Sequence, residues 1–426
     1  MPNPLLDPIR VYLSRRMCLM LVLGFSSGMP LALTGSTLSA WMVAEGVDIQ
    51  TIGIFALVGL PYAFKFLWSP LMDRYLPPFL GRRRGWMLIT QLVLAVTIAF
   101  LGFLQPGFQP LLTAALALLI AFFSASQDIV LDAYRTERLT PEERGAGAGV
   151  WIMGYRIAIL VSGAAALILS DLVSWRFVYV IMGLCMVIGV VATLMAAEPD
   201  TGQGEGKAAI PKSLSEAVVL PFVEFFRRPG ATEILLFIVL YKIGDVAAAQ
   251  MTTPYILQHI GFSRTELGTI FKGFGMVATI VGTLLGGALM ARWPLKKALI
   301  VFGILQGVST FVFILLEFTG REIWALSVVI GVENLCGGMG TAAYIALMMA
   351  LCNTRFTATQ YALLSSLMAV SRYVTGAPTG YLVVATGWMT FFAVCTLAAL
   401  PALLLLKRYD RWGVEGAKDP TAREER

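Results

Sequence analysis

The 32 lysine and arginine residues of this 426-residue chain are distributed with a strong bias. Of these, 24 fall in loops of one parity between about twelve apolar stretches, three (Arg176, Arg264 and Arg321) in loops of the other parity, and five inside the stretches. That pattern belongs to a multispanning membrane protein oriented by its basic loops. A composition 58% hydrophobic and 14% charged excludes a soluble globular domain. Spans of about 20 apolar residues are predicted at 17–44, 51–73, 86–104, 110–134, 145–170, 176–197, 231–258, 265–291, 297–317, 323–352, 356–386 and 388–406. All are expected to be helices, because a segment in hydrocarbon must satisfy its own backbone.

The basic loops put both termini in the cytosol. The first span is too long for a signal-peptide core and is expected to be retained. The break from Glu198 to Gly230 divides the chain into 1–197, a cytosolic linker at 198–230, a second half at 231–408 and a tail at 409–426. Within the linker, SLSEAVVLPFVEFFRR reads as an interfacial helix bent or interrupted at Pro221. The net charge of +6 follows from this topology, so no nucleic-acid partner is needed. The five cysteines lie in or at the ends of spans without metal-ligand spacing, which reads as packing; no metal or cofactor is expected.

An offset of 216 residues superposes Gly28 on Gly244, Thr37 on Thr253 and Arg156 on Arg372. With the division into six spans and six, this supports two related half-bundles with a site between them. The loop DRYLPPFLGRRRG, carrying Asp73, Arg74, Arg82, Arg83 and Arg84, resembles the Gly-x-x-x-Asp-Arg-x-Gly-Arg-Arg signature of the major facilitator superfamily. It departs from it at Ser69-Pro70 and in a longer spacing before the basic run. The resemblance implies an all-α membrane protein of twelve transmembrane helices in two pseudosymmetric six-helix bundles, a monomer surrounded by membrane lipid. The acid–arginine group would then be a latch between halves, although a topogenic basic loop is the alternative.

The strings GFSSGMPLALTGSTLSAWM, FKFLWSPLMDRY, SASQDIVLDAY and PEERGAGAGV narrow the resemblance to the bacterial muropeptide permeases. That family's function implies an inner-membrane transporter importing anhydro-muropeptides for peptidoglycan recycling, with protons as the coupling partner.

Nine ionisable residues sit within spans: Lys65, Arg156, Lys242, Lys272 and Arg372, and Asp128, Asp132, Asp245 and Glu333. Unpaired, each would cost about 2.5 to 3.5 kcal/mol, and the total would exceed the roughly 5 to 15 kcal/mol stability of a folded protein. They must pair or face water. Helical spacing puts Asp128 and Asp132 on one face and Lys242 beside Asp245. The expected substrate-binding set is Gly28, Lys65, Gln127, Arg156, Lys242, Lys272 and Arg372, since guanidinium groups suit carboxylates and an amide suits sugar hydroxyls. Asp128, Asp132, Asp245 and Glu333 are the proton-coupling candidates, and Asp73, Arg74, Arg82 and Arg83 the latch. Structural alternatives stand beside several of these: a Lys65–Asp128 ion pair, an interhelical hydrogen bond from Gln127, and close helix packing rather than an opened helix at Gly28. Tyr62, Tyr155, Tyr241, Tyr255, Tyr344 and Tyr373 offer aromatic faces to a sugar or serve as interior packing. No nucleophile elbow, HExxH or nucleotide loop is present, so an enzyme is not expected. Another anionic metabolite, such as an acyl-coenzyme A ester, is the competing cargo.

Overall fold

A computed structural model of the chain describes residues 11–47, 51, 55–199, 214–353 and 356–414. The expectations placed on most of the linker, most of the tail, and the side chains of Lys272, Arg372 and Tyr373 lie outside the described residues. Regular structure among the described residues is helical throughout. Among them, ten helices are long and apolar enough to cross a bilayer: α1 (Arg15–Ala44), α3 (Arg82–Leu101), α4 (Pro110–Arg138), α5 (Arg144–Ser170), α6 (Trp175–Met195), α8 (Ala231–His259), α9 (Gly268–Met290), α10 (Leu295–Thr319), α11 (Ile323–Leu351) and α13 (Trp388–Trp412). Three further elements complete the series. α2 is a run of short pieces (Phe55–Gly59, Leu60–Phe64, Lys65–Leu67 and Ser69–Arg74), α7 is Leu214–Arg227, and α12 is Thr357–Thr386.

The continuous span expected at 51–73 is thus broken up. Pro61 and Pro70 each remove a donor from the helical ladder and clash with the preceding turn. Each sits in the first turn of a new piece, the position where proline is tolerated. α1 behaves in the opposite way: it runs through Gly28 and Pro30 and breaks at Gly35 (φ −111°, ψ −108°).

Helices in lipid approach each other through small residues. A β-carbon on Gly24 would lie 2.5 Å from the Trp151 carbonyl oxygen, and one on Gly28 2.6 Å from that of Tyr155. Gly28 is therefore spent on the seam between α1 and α5, which is its packing alternative. The same device joins the two halves of the chain at the ends bearing the basic loops. There a β-carbon on Gly149 of α5 would lie 2.7 Å from the Thr283 carbonyl oxygen of α9, and Tyr12 Oη donates to Leu284 O across the same seam at 2.6 Å.

α7 continues through Pro221 and docks by its C-terminal end. Phe225 is fully buried, and Glu224 pairs with Arg228 and receives the Gln360 amide of α12. At the start of α3, Gly81 adopts φ +86°, with the Glu198 carboxylate where a β-carbon would stand. Glu198 accepts from Arg83 N (2.8 Å) and Arg84 N (3.0 Å), satisfying two free donors at the positive end of the helix.

Candidate functional site

The intramembrane charges gather in two clusters, one in each half. In the first, α4 presents Asp128, Asp132 and Arg135. Ser27 Oγ of α1 donates to Asp128 Oδ1 at 2.6 Å. Asp132 divides its oxygens: Oδ2 lies 3.7 Å from Lys65 Nζ, and Oδ1 accepts from Arg135 Nη2 at 2.9 Å. The ion pair of Lys65 is therefore made with Asp132, not with Asp128. Positions i and i+4 share a face but stand about 6 Å apart along the axis, so sequence spacing alone could not choose between them.

Gln127 points elsewhere. One residue is about 100° of helical turn, which takes it from the Asp128 face into the α1–α4 seam, where it is fully buried and its Nε2 donates to Ser26 Oγ at 3.4 Å. Arg156 of α5 is the exception to the pairing: among the described residues its guanidinium has no ion pair and no hydrogen bond, although it is set between helices within a span, half-buried.

The second cluster forms around Lys242. Its Nζ reaches Asp245 Oδ2 (3.2 Å), Gln306 Oε1 (2.9 Å) and Gly337 O (3.4 Å). Glu333 accepts from Ser309 Oγ at 2.8 Å and lies in the same cluster as Asp245. Gly340 leaves room for this arrangement, since a β-carbon there would collide with Gln306 Oε1. Gln306 and Ser309 carried no signal in the sequence, being single polar residues in an apolar helix. Three tyrosines of this half pack structurally: Tyr241, Tyr255 and Tyr344 are buried, and each hydroxyl donates to a backbone carbonyl.

At the basic-loop end, fully buried Asp73 crosses between the halves. Its Oδ2 accepts from Thr359 N (2.9 Å) and Thr359 Oγ1 (2.8 Å), and its Oδ1 from Ala358 N (3.3 Å) and Arg83 Nη2 (2.9 Å). A carboxylate thus occupies the N-terminus of α12, where free N–H groups and the helix dipole favour an anion. Arg83 Nε also binds Glu137 of α4 at 3.1 Å to both oxygens, and Arg82 joins it at 3.4 Å. Arg74 is not part of this group; it lies over the Tyr75 ring at 5.5 Å. Glu137 and Thr359 are members of this buried group that sequence reasoning missed. Arg135 is a further correction: left just outside the span expected at 110–134, it lies within α4, 1% exposed, and bridges to Tyr361 Oη of α12 at 2.6 Å.

The family model described as Major Facilitator Superfamily matches residues 20–376 and 245–424. The anhydromuropeptide permease of Escherichia coli (strain K12) is 51% identical over 400 residues, covering 93% of this chain and 80% of that protein. A putative transporter AmpG 1 of Rickettsia conorii is 34% identical over 405 residues, covering 92% and 97%. Among solved structures, the proton:xylose symporter XylE aligns with a TM-score of 0.68 at 10% identity, covering 94% of this chain and 95% of that one. The human organic anion transporter MFSD10 aligns at 0.62 and 16% identity, covering 91% and 96%.

Proposed function

This chain belongs to the Major Facilitator Superfamily, and from that premise we propose that it imports anhydro-muropeptides, the disaccharide GlcNAc-anhydroMurNAc and its peptides, across the bacterial inner membrane for peptidoglycan recycling. Transport proceeds by alternating access, with both termini in the cytosol. The observation that carries the substrate reading is the Arg156 guanidinium, which has no ion pair and no hydrogen bond among the described residues. A cation held within a span without a counter-ion is costly unless a ligand supplies the anion, and a muropeptide brings carboxylates that a guanidinium binds through its planar fork. The identity to the Escherichia coli permease supports the same cargo.

Protons are the coupling ion in this reading, held between Asp245 and Glu333. Both acids belong to the cluster around Lys242, which pairs with Asp245 at 3.2 Å, so a proton gained or lost by either changes the local charge. Moving one charge through the field contributes about 2.3 kcal/mol per 100 mV. With the basic loops in the cytosol, the seam closed by Asp73, Gly149 and Tyr12 is the cytosolic one, so loading occurs from the periplasm.

The deciding experiment is uptake of labelled anhydro-muropeptide by proteoliposomes under an imposed pH gradient. Saturable, gradient-dependent accumulation is expected; accumulation of an acyl-coenzyme A ester instead would overturn the assignment. Glu333→Gln should abolish accumulation against a gradient while retaining counterflow exchange, because an amide holds no cycling proton. Equal loss of both activities would remove Glu333 from coupling. Orientation is checked by thiol labelling in a cysteine-free background: a cysteine in place of Gln203 should react from the cytosolic side and one in place of Gly107 from the periplasmic side. The reverse pattern would invert the topology.

A further inference from the structure

We infer that Arg135 is a second carboxylate-binding station, at the basic-loop end of the path, held shut by Tyr361 in this conformation. The inference rests on the import reading above, in which Arg156 is the first station. Arg135 is 1% exposed. Its Nη2 is fully used, donating to Asp132 Oδ1 at 2.9 Å and to Tyr361 Oη at 2.6 Å. Its Nε and Nη1 are buried and, among the described residues, have no acceptor. Leaving charged donors dry and unpartnered is expensive, so the arrangement makes sense where an acceptor arrives during the cycle.

The surroundings fit a carboxylate. The Trp151 ring of α5 lies 4.6 Å from the guanidinium carbon and the Tyr361 ring 5.5 Å, so flat aromatic faces flank the charge, and the acceptor they offer, Tyr361 Oη, is taken by Nη2. The charged groups acting on this cluster are Lys65, Asp132 and Asp128.

Tyr361 explains why the station is closed here. It belongs to α12, across the seam sealed by Asp73, and its hydroxyl is the contact that ties Arg135 to the opposite half. Parting of the halves at this end withdraws that hydroxyl and one ring, freeing Nη2 and exposing Nε and Nη1. A carboxylate released by Arg156 then meets a second guanidinium nearer the cytosol, carried on the same half as Asp132.

The test compares uptake of GlcNAc-anhydroMurNAc-tripeptide with that of the same molecule carrying amidated carboxyl groups. Arg135→Gln should lower kcat for the carboxylate form at least about tenfold relative to the amide, the effect of losing one charge-assisted hydrogen bond, with the KM ratio unchanged. Equal slowing of both substrates would make Arg135 a packing element of the seam and overturn the inference, as would an effect confined to KM. Tyr361→Phe keeps the ring and serves if the glutamine variant does not fold. By releasing Nη2 it should raise the carboxylate-to-amide kcat ratio about threefold, within the range of a single neutral hydrogen bond; an unchanged ratio counts against the station. Arg156→Gln separates the two readings, since it should shift the KM ratio. If it does not, the first station fails while the kcat comparison still judges Arg135.

Discussion

Arg156→Gln is expected to reduce anhydro-muropeptide uptake roughly a hundredfold without destabilising the protein. Losing the partner of a buried charge costs about 2 to 5 kcal/mol, and about 2.7 kcal/mol corresponds to a hundredfold in affinity. The loss should appear as weakened binding measured calorimetrically on purified protein. Stability moves differently, because among the described residues the guanidinium makes no ion pair and no hydrogen bond that the substitution would break. The thermal midpoint should hold or rise, as at sites where function is maintained against stability. Arg156→Lys keeps the charge but not the fork, and should fall between the two. A midpoint lowered together with activity would mean that Arg156 is a structural cation, and a glutamine variant with wild-type affinity would remove it from the substrate site.

The helices were legible in the sequence because the bilayer imposes length and polarity together. The same constraint fails at α2, where Gly59, Pro61 and Pro70 disperse an apolar stretch into short turns. An apolar window reports residence in the membrane, not continuity of the ladder. Gly28 illustrates a related ambiguity. A glycine beside a proline serves equally an opened helix and a close crossing, and the carbonyl of Tyr155, far along the chain on α5, decides between them.

Charge in the interior was legible as type, not as partnership. Burial of Lys65, Asp128 and Asp132 could be read from their spans, but the choice of Asp132 over Asp128 depends on the rotation of α2 against α4. Arg135 was hidden for a different reason: α4 extends to Arg138, beyond the apolar window, so its last turn carries charges that look like a loop. Glu137 was hidden in the same turn. Thr359 had no signal at all, since its role comes from lying at the N-terminus of α12 opposite an acid from the other half.

That acid supplies the other large effect. Asp73→Asn is expected to shift the conformational equilibrium toward opening of the basic-loop end by about 3 kcal/mol, the lower end of the cost of breaking a buried ion pair. The amide would keep the shape of the side chain but lose the charge that Arg83, Thr359 and the α12 N-terminus all address. Arg83 retains Glu137, so the local fold of the first half should survive. Distances between spin labels at the ends of α5 and α9 should lengthen, and uptake should slow because closure no longer resets the carrier. Substrate affinity should change little if substrate binds both states alike, since such a ligand is indifferent to their ratio. Thr359→Val removes one of the same donors and should give a smaller shift, non-additive with Asp73→Asn because the two act through one contact. Lost binding with an unchanged distance distribution would sink the latch, and additive shifts would place Asp73 and Thr359 in separate devices.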